Sequence, residues 1–359
     1  MIVPTLHPVA VEADPDRALE DYVASLYTLP MDRSRPLWEF HFLDFPTSEA
    51  ASTAVIRLHH SLGDGMSLIT LLLASARSVA DPTRLPAMPE QPARTGAIYV
   101  PRRRQPPAAG VLAAFVTWIW SYLVLVWNTM VDFAIFAVTI VFRRDLHTLF
   151  KRVDGDVTSN RSRRFVHRSI SLDDVKLIKN VMNCTVNDVL VGATSAALSR
   201  YYFRKSGSSK ANKLCLRSVL PVNTRPTTSL QTYVDMIESG KSNDVAWGNQ
   251  LGYILLPFHL AMHSDPLAYV RKAKKIIDRK KSSLEVIFTC KMNAFFVKMF
   301  GMKALVVQYQ SYDNTIKVIL SVDDEVIPDY AQLLDDFTES FGRIKDASSR
   351  LSASIIKKE

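Results

Sequence analysis

The sequence predicts an α/β fold with mixed α+β sheets, laid out as two halves with an apolar helical segment between them. Three observations carry this. Short stretches with the period-2 alternation of half-buried strands occur in both halves, among longer stretches with helical spacing. The helical stretches open on side chains that cap, and the clearest of them closes on a glycine. Between the halves, a proline-rich stretch leads into one long run that is almost free of charge. At 359 residues the chain is long enough for two domains and a sizeable core.

Met1 to Asp14 is apolar but interrupted by Pro4 and Pro8. It lacks a charged n-region followed by a clean h-region, so it does not read as a signal peptide. Leu19, Tyr22, Val23 and Leu26 predict a helix over Arg17 to Tyr27, with Asp14 or Asp16 as cap. Met31 to Arg35 is a polar turn. Trp38, Phe40 and Phe42 then alternate with Glu39 and His41, which predicts a half-buried strand with Trp38 packed in the core. Thr53 to Leu58 predicts a second strand that ends on His59 and His60. A turn bounded by Gly63 and Gly65 follows, and Met66 to Arg77 reads as an apolar helix.

Asp81 to Pro107 is rich in proline and poor in apolar periodicity, as expected of a linker. These shifts divide the chain into a first half over residues 1–80, a linker over 81–110, an apolar segment over 111–142 and a second half over 143–359. The apolar segment holds a single charged residue, Asp132, among Trp118, Trp120, Tyr122, Trp127 and many aliphatics. It exceeds the about 20 residues needed to span a bilayer. A single pass, however, would put the two halves on opposite sides, and two passes would need about 40 apolar residues. Arg102 to Arg104 and Arg143-Arg144 flank both ends, so no positive-inside asymmetry sets an orientation. Three placements stay open: re-entrant or in-plane at a membrane, a single pass, and a buried helix covering a channel.

In the second half, Phe165 to Ile170 alternates like a strand. Ser171 is the expected N-cap of a helix that turns Val175, Ile178 and Val181-Met182 inward. Thr185 caps a longer helix from Val186 to Lys205, ended by Gly207, with Asn187 and Asp188 in its first turn. Leu214 to Val222 and Gly252 to Leu256 are strand candidates. A helix from Asp265 to Lys281 carries seven basic residues, Arg271, Lys272, Lys274, Lys275, Arg279, Lys280 and Lys281. That run suits either a solvated face or a surface for phosphates and anionic headgroups. Two more strands turn at Asp313-Asn314, and a helix runs from Ala331 to about Leu351.

Composition excludes several classes. The hydrophobic content of 48% and mean hydropathy of +0.04 are high for a soluble protein, and the excess is local to the apolar segment. Cys184, Cys215 and Cys290 show neither C-x-x-C spacing nor an even framework, which argues for a reducing compartment without structural disulfides or a zinc site. A formal charge of +9 favours anionic partners. No finger, recognition helix or aromatic-basic module accompanies it, so nucleic acid is not expected.

The chemistry concentrates at His59-His60-Ser61-Leu62-Gly63-Asp64-Gly65, where a strand ends in a sharp turn before a helix. Imidazole is the side chain best suited to moving protons near neutral pH. The aspartate can accept hydrogen bonds that fix the loop, and the glycines leave room for substrate. Together with Pro36-Leu37-Trp38 upstream and Asn187-Asp188-Val189-Leu190 in the second half, this stretch resembles the plant-type wax ester synthase/diacylglycerol acyltransferase family. The resemblance covers nearly the whole chain, since order and spacing of the three stretches agree.

What the resemblance implies is a two-domain coenzyme A-dependent acyltransferase-like fold with the site in a channel between the halves. His60 would be the catalytic base, His59 would position it, and Asp64 would be structural with a cationic partner left open by the sequence. Gly65, Asn187 and Asp188 would shape the site, and Pro36, Leu37 and Trp38 would line or pack it. Fatty acyl-CoA would be a co-substrate with no bound cofactor, and the acceptor a fatty alcohol or diacylglycerol. The partner surface would be membrane lipid, at the cytosolic face of the endoplasmic reticulum with the plasma membrane as a second location. Two features depart from the family pattern. Strands and a helix that precede the first strand in family members are mostly missing, and a Ser-Asn-x-x-Gly-Pro stretch is absent where Ala304 meets Leu305. The sequence therefore reads as a shortened form, and a catalytically inactive, lipid-associated homologue is the alternative. A soluble hydroxycinnamoyl-type acyltransferase shares His-x-x-x-Asp, but its Asp-Phe-Gly-Trp-Gly motif does not occur here.

Overall fold

A computed structural model describes residues 2–86, 111–141, 149–150, 163–207, 214–225, 230–240, 247–292 and 305–356. The linker core, both arginine clusters beside the apolar segment and the 304/305 junction lie outside the described residues.

Helix α1 (Pro8–Ala13) starts at a proline where a break was expected. Proline at the first helical position gives up an amide that would have had no partner there. Helix α2 (Pro15–Thr28) is capped by Asp14, whose carboxylate accepts from the Arg17 amide at 2.9 Å. Strands β1 (Trp38–Leu43) and β2 (Thr53–Leu58) pair antiparallel, with Trp38 opposite Leu58, and Ile2 adds a parallel bridge to His41. Helix α3 (Gly65–Ser75) follows β2, and helix α4 (Val111–Val141) is the apolar segment as one continuous helix.

The burial on β1 runs in the opposite phase to the one the alternation predicts. His41 and Leu43 are the buried residues, whereas Trp38 is 48% exposed and meets only the edge of Phe40, with ring centroids 5.6 Å apart. The cause is a polar pairing that turns the other face inward. The Tyr22 hydroxyl from α2 lies 2.7 Å from His41 Nδ1, and Glu39 lies 3.2 Å from Nε2.

The second half keeps the predicted elements in order and adds two helices: β3 (Arg163–Ser171), α5 (Leu172–Val181), α6 (Val186–Ser206), β4 (Cys215–Asn223), α7 (Leu230–Ser239), β5 (Leu251–His259), α8 (Leu267–Lys281), α9 (Glu285–Lys291), β6 (Leu305–Tyr312), β7 (Thr315–Asp323) and α10 (Tyr330–Ile356). The two that the sequence did not predict are α7 and α9. Ser171 and Thr185 cap α5 and α6 as expected, and Gly207 ends α6 with φ of 59°. Among the described residues the ladders are antiparallel: β3-β7-β6 with β7 central, and β4-β5 as a separate pair.

The core sits on β7, where Ile316, Val318, Leu320 and Val322 are all buried on alternate positions. Helices α5, α6, α8 and α10 cover it with Val175, Ile178, Val189, Val270 and Ile344. Burial of each such side chain contributes about 1.5–3 kcal/mol. The first half has little core of its own and leans on the second. Ala74 of α3 packs with Leu230, Tyr233 and Val234 of α7, and Tyr27 of α2 meets Phe165 of β3 at 6.1 Å.

Candidate active site

Pairing of β1 with β2 brings two of the three sequence motifs side by side. The His59 amide donates to the Leu37 carbonyl at 3.0 Å, so Pro36-Leu37-Trp38 holds the point where β2 ends. The His59 ring is fixed by the next residue but one: Ser61 Oγ lies 2.7 Å from Nδ1, and the Ser61 amide donates to the same nitrogen at 3.2 Å. His60 is exposed, and its carbonyl accepts from Asn249 Nδ2 at 3.0 Å. One histidine is thus tied down by its own loop, and the other is held by its backbone with the imidazole at the surface.

Asp64 is fully buried and caps α3 by accepting from the Ser67 amide at 3.1 Å. Its Oδ2 accepts from Arg225 at 2.7 Å and from the Gln250 amide at 3.0 Å. Burial alone would raise this carboxyl. The Ser67 amide, the Arg225 guanidinium and the Gln250 amide together outweigh that and hold it below the usual carboxylate range. The cation that the sequence left open is therefore Arg225, itself 4% exposed.

Residues 247–250, just before β5, close over the turn. Trp247 Nε1 donates to the Leu62 carbonyl at 2.8 Å. The Gly248 carbonyl gathers Ser67 Oγ at 3.1 Å, the Asp64 amide at 3.4 Å and the Arg225 guanidinium. Gly248 has φ of 96°, a conformation that side chains disfavour. Gly63 makes the opposite approach possible, since a Cβ there would lie 2.9 Å from that of Ser67. Trp247, Asn249, Gln250 and Arg225 were not singled out from sequence. Asn223 pairs with Leu251 across the β4-β5 ladder, so Arg225 and Gln250 meet only once that pairing is known.

The third motif does not join them. Asp188 accepts from the Thr185 amide and hydroxyl, both at 2.8 Å, and Thr185 Oγ1 accepts from the Asp188 amide, closing a capping box. Asn187 beside it is exposed. Among the described residues, no hydrogen bond or ion pair links either to the His60 turn. Gly65 has open space where a side chain would go. Among the described residues, no group of three or more His, Cys, Asp or Glu is gathered for a metal ion. Burial first, then Asp188, push the Cys184 thiol up to about 11, which keeps it protonated and unsuited to carry an acyl group.

The basic helix also departs from expectation. Arg271 pairs with Asp265 at 2.6 Å and Lys274 with Asp278 at 2.7 Å. Arg279 and Lys280 turn toward Asp132 of α4 at 2.8 and 2.9 Å. The run is therefore not one uniform anion-facing surface, because Arg279 and Lys280 are spent on a protein partner.

The model of the wax ester synthase/diacylglycerol acyltransferase catalytic domain matches residues 8–190, and the model of the C-terminal domain of the same enzymes matches residues 247–306 and 301–345. Wax ester synthase/diacylglycerol acyltransferase 11 of Arabidopsis thaliana is 38% identical over 404 aligned residues, covering 97% of this chain and 80% of that protein. Wax ester synthase/diacylglycerol acyltransferase 6 of the same plant is 37% identical, covering 92% and 75%. Among solved structures, the wax ester synthase/diacylglycerol acyltransferase from Marinobacter aquaeolei aligns with a TM-score of 0.53 at 16% identity, over 93% of this chain and 76% of that one. The first condensation domain of the calcium-dependent antibiotic synthetase aligns at 0.52 and 12% identity, over 97% and 74%. At these identities the structural likenesses establish the fold, in which the His60 turn is clamped by residues of the second half.

Proposed function

The chain belongs to the wax ester synthase/diacylglycerol acyltransferase family, and from that premise we propose that it transfers a fatty acyl group from acyl-CoA to the hydroxyl of a long-chain alcohol, diacylglycerol or both. One observation carries the assignment of the base. His60 is an exposed imidazole at the end of β2 whose backbone is held by Asn249, beside a loop locked by the buried Asp64–Arg225 pair. In the reaction, His60 takes the hydroxyl proton as the oxygen attacks the thioester carbonyl. The tetrahedral oxyanion collapses, the carbon–sulfur bond breaks, and the departing coenzyme A thiolate takes the proton back from His60. No acyl-enzyme is needed. Asp64 and His59 position the loop, and Pro36, Leu37 and Trp38 hold its other side. The enzyme works at the cytosolic face of the endoplasmic reticulum membrane, where both substrates partition.

The test is an assay with palmitoyl-CoA and either hexadecanol or dioleoylglycerol, following free thiol and extracted ester. Thiol release that depends on the acceptor supports the reading; thiol release without ester refutes it. A second reading, a catalytically inactive lipid-associated homologue, has one observation in its favour. The C-terminal family model matches in two pieces that meet within residues 301–306, where the Ser-Asn-x-x-Gly-Pro stretch is missing from the sequence.

A further inference from the structure

Helix α4 is docked along its middle and bare along its outer side. Leu125 and Phe136 are buried, Asn128 donates to the Ser282 carbonyl at 3.2 Å, and Thr129 Oγ1 accepts from the Leu284 amide at 3.1 Å. Asp132 is 2% exposed and pairs with Arg279 and Lys280, and Lys280 pairs onward with Glu285 at 2.7 Å. These positions recur at three- and four-residue steps, so they form one stripe on the helix. On the opposite side Trp120, Leu123 and Trp127 are all more than half exposed, and N-terminal to the docked stretch so are Phe115, Trp118 and Tyr122.

Two features say what covers that surface. Phe115–Val138 has the length and mean hydropathy, 1.6, of a bilayer span, yet only 11% of its most apolar window is buried in the protein. Spanning conflicts with the docked stripe. Asp132 lies in the body of this stretch, so a pass would carry Arg279, Lys280 and Glu285 into the hydrocarbon beside it. Each charge there costs about 2.5–3.5 kcal/mol on insertion scales. Lying in the plane avoids this, because the charged stripe faces protein while Trp120 and Trp127 on the opposite side reach the headgroup boundary that tryptophan favours. The net charge of +9 suits an anionic leaflet.

We propose that α4 lies in the plane of an anionic lipid leaflet, and that the Asp132–Arg279–Lys280–Glu285 cluster locks it there against the second half. This rests on the membrane contact in the reading above and fixes its geometry. The docked side of α4 also reaches the strand that follows the clamp. Phe136 packs with Leu255 of β5, and the residue before that strand, Gln250, holds Asp64.

The test uses the full chain, translated cell-free beside sealed vesicles of phosphatidylcholine with or without phosphatidylserine. Single cysteines replace Ala109 or Leu146, which flank α4 in the sequence, in a background with the native cysteines changed to serine. A membrane-impermeant maleimide is added outside. The proposal expects the chain to float with the vesicles, more strongly with phosphatidylserine, and both cysteines to be labelled without detergent. Protection of one cysteine until detergent is added overturns in-plane docking but leaves membrane contact standing. Failure to float overturns the membrane reading itself. The double change Trp120→Ser and Trp127→Ser should lower the vesicle-bound fraction at least about tenfold. Undiminished binding would show that another surface makes the contact, and would overturn the assignment of this face.

Discussion

Asp64 spends both carboxylate oxygens inside the protein, one on the start of α3 and one on Arg225 and the chain before β5. Its exchange for alanine leaves a buried guanidinium without its charge partner, and breaking such a pair costs about 3–5 kcal/mol. Urea denaturation of Asp64→Ala at neutral pH should show a loss of that size. The pH dependence has a fixed sign. A carboxyl whose folded value is depressed contributes stability that is complete above the unfolded value, about 3.9, and is lost as pH falls through the folded one. The gap between wild type and Asp64→Ala should therefore narrow only below about pH 4. A gap that narrowed between pH 8 and 6 (a range of about two units around neutrality) would assign the effect to a histidine instead. Asn249 acts one step further out. Asn249→Ala frees the His60 carbonyl and should lower kcat by about tenfold with KM nearly unchanged, as expected when a catalytic group loses orientation. A rise in KM at constant kcat would place Asn249 in substrate binding.

At the scale of elements, caps and periodicity were legible because they are local. Asp14, Ser171, Thr185 and Gly207 each act within a few residues of themselves, and each does what the sequence predicts. The phase of β1 was not legible, since a Tyr22–His41–Glu39 network around the buried His41 reverses the side that hydrophobicity alone would bury. Arg225 and residues 247–250 were hidden for a different reason: antiparallel pairing of β4 with β5 is what unites them. The same holds for the last turn of α8, whose charges look solvated until α4 is laid against them. The second-half junction before β6 carries the clearest prediction at this scale. A preorganised oxyanion donor contributes about 3–4 kcal/mol, a factor of a hundred or more in rate. The family resemblance would put such support in the missing stretch, so inserting the Ser-Asn-x-x-Gly-Pro stretch of a relative between Ala304 and Leu305 should raise ester synthesis by that order. If the ungrafted chain already matches a full-length relative, that stretch is dispensable for catalysis.

Across the whole molecule, the second half supplies the core and also the clamp on the turn that the first half carries. Two of the three motifs meet at that turn, and the third caps its own helix. The proposed reaction therefore depends on how the halves are joined as much as on the histidines themselves. Glu49 in the β1–β2 connection adds to the joint, reaching Lys317 and His167 of the second half, the latter at 3.2 Å. The claim that rests on all of this is that His60, presented by the joined halves, is the base of an acyl-CoA-dependent ester synthesis. It is tested most directly in a yeast strain that makes no neutral lipid, expressing wild type, His59→Ala or His60→Ala at equal levels and fed hexadecanol. Extracted wax ester and triacylglycerol are then measured. Wild type should form ester, His60→Ala should fall by about a hundred- to ten-thousand-fold, and His59→Ala should fall less. Ester formation that survives His60→Ala, or that disappears only with His59→Ala, would contradict the assignment.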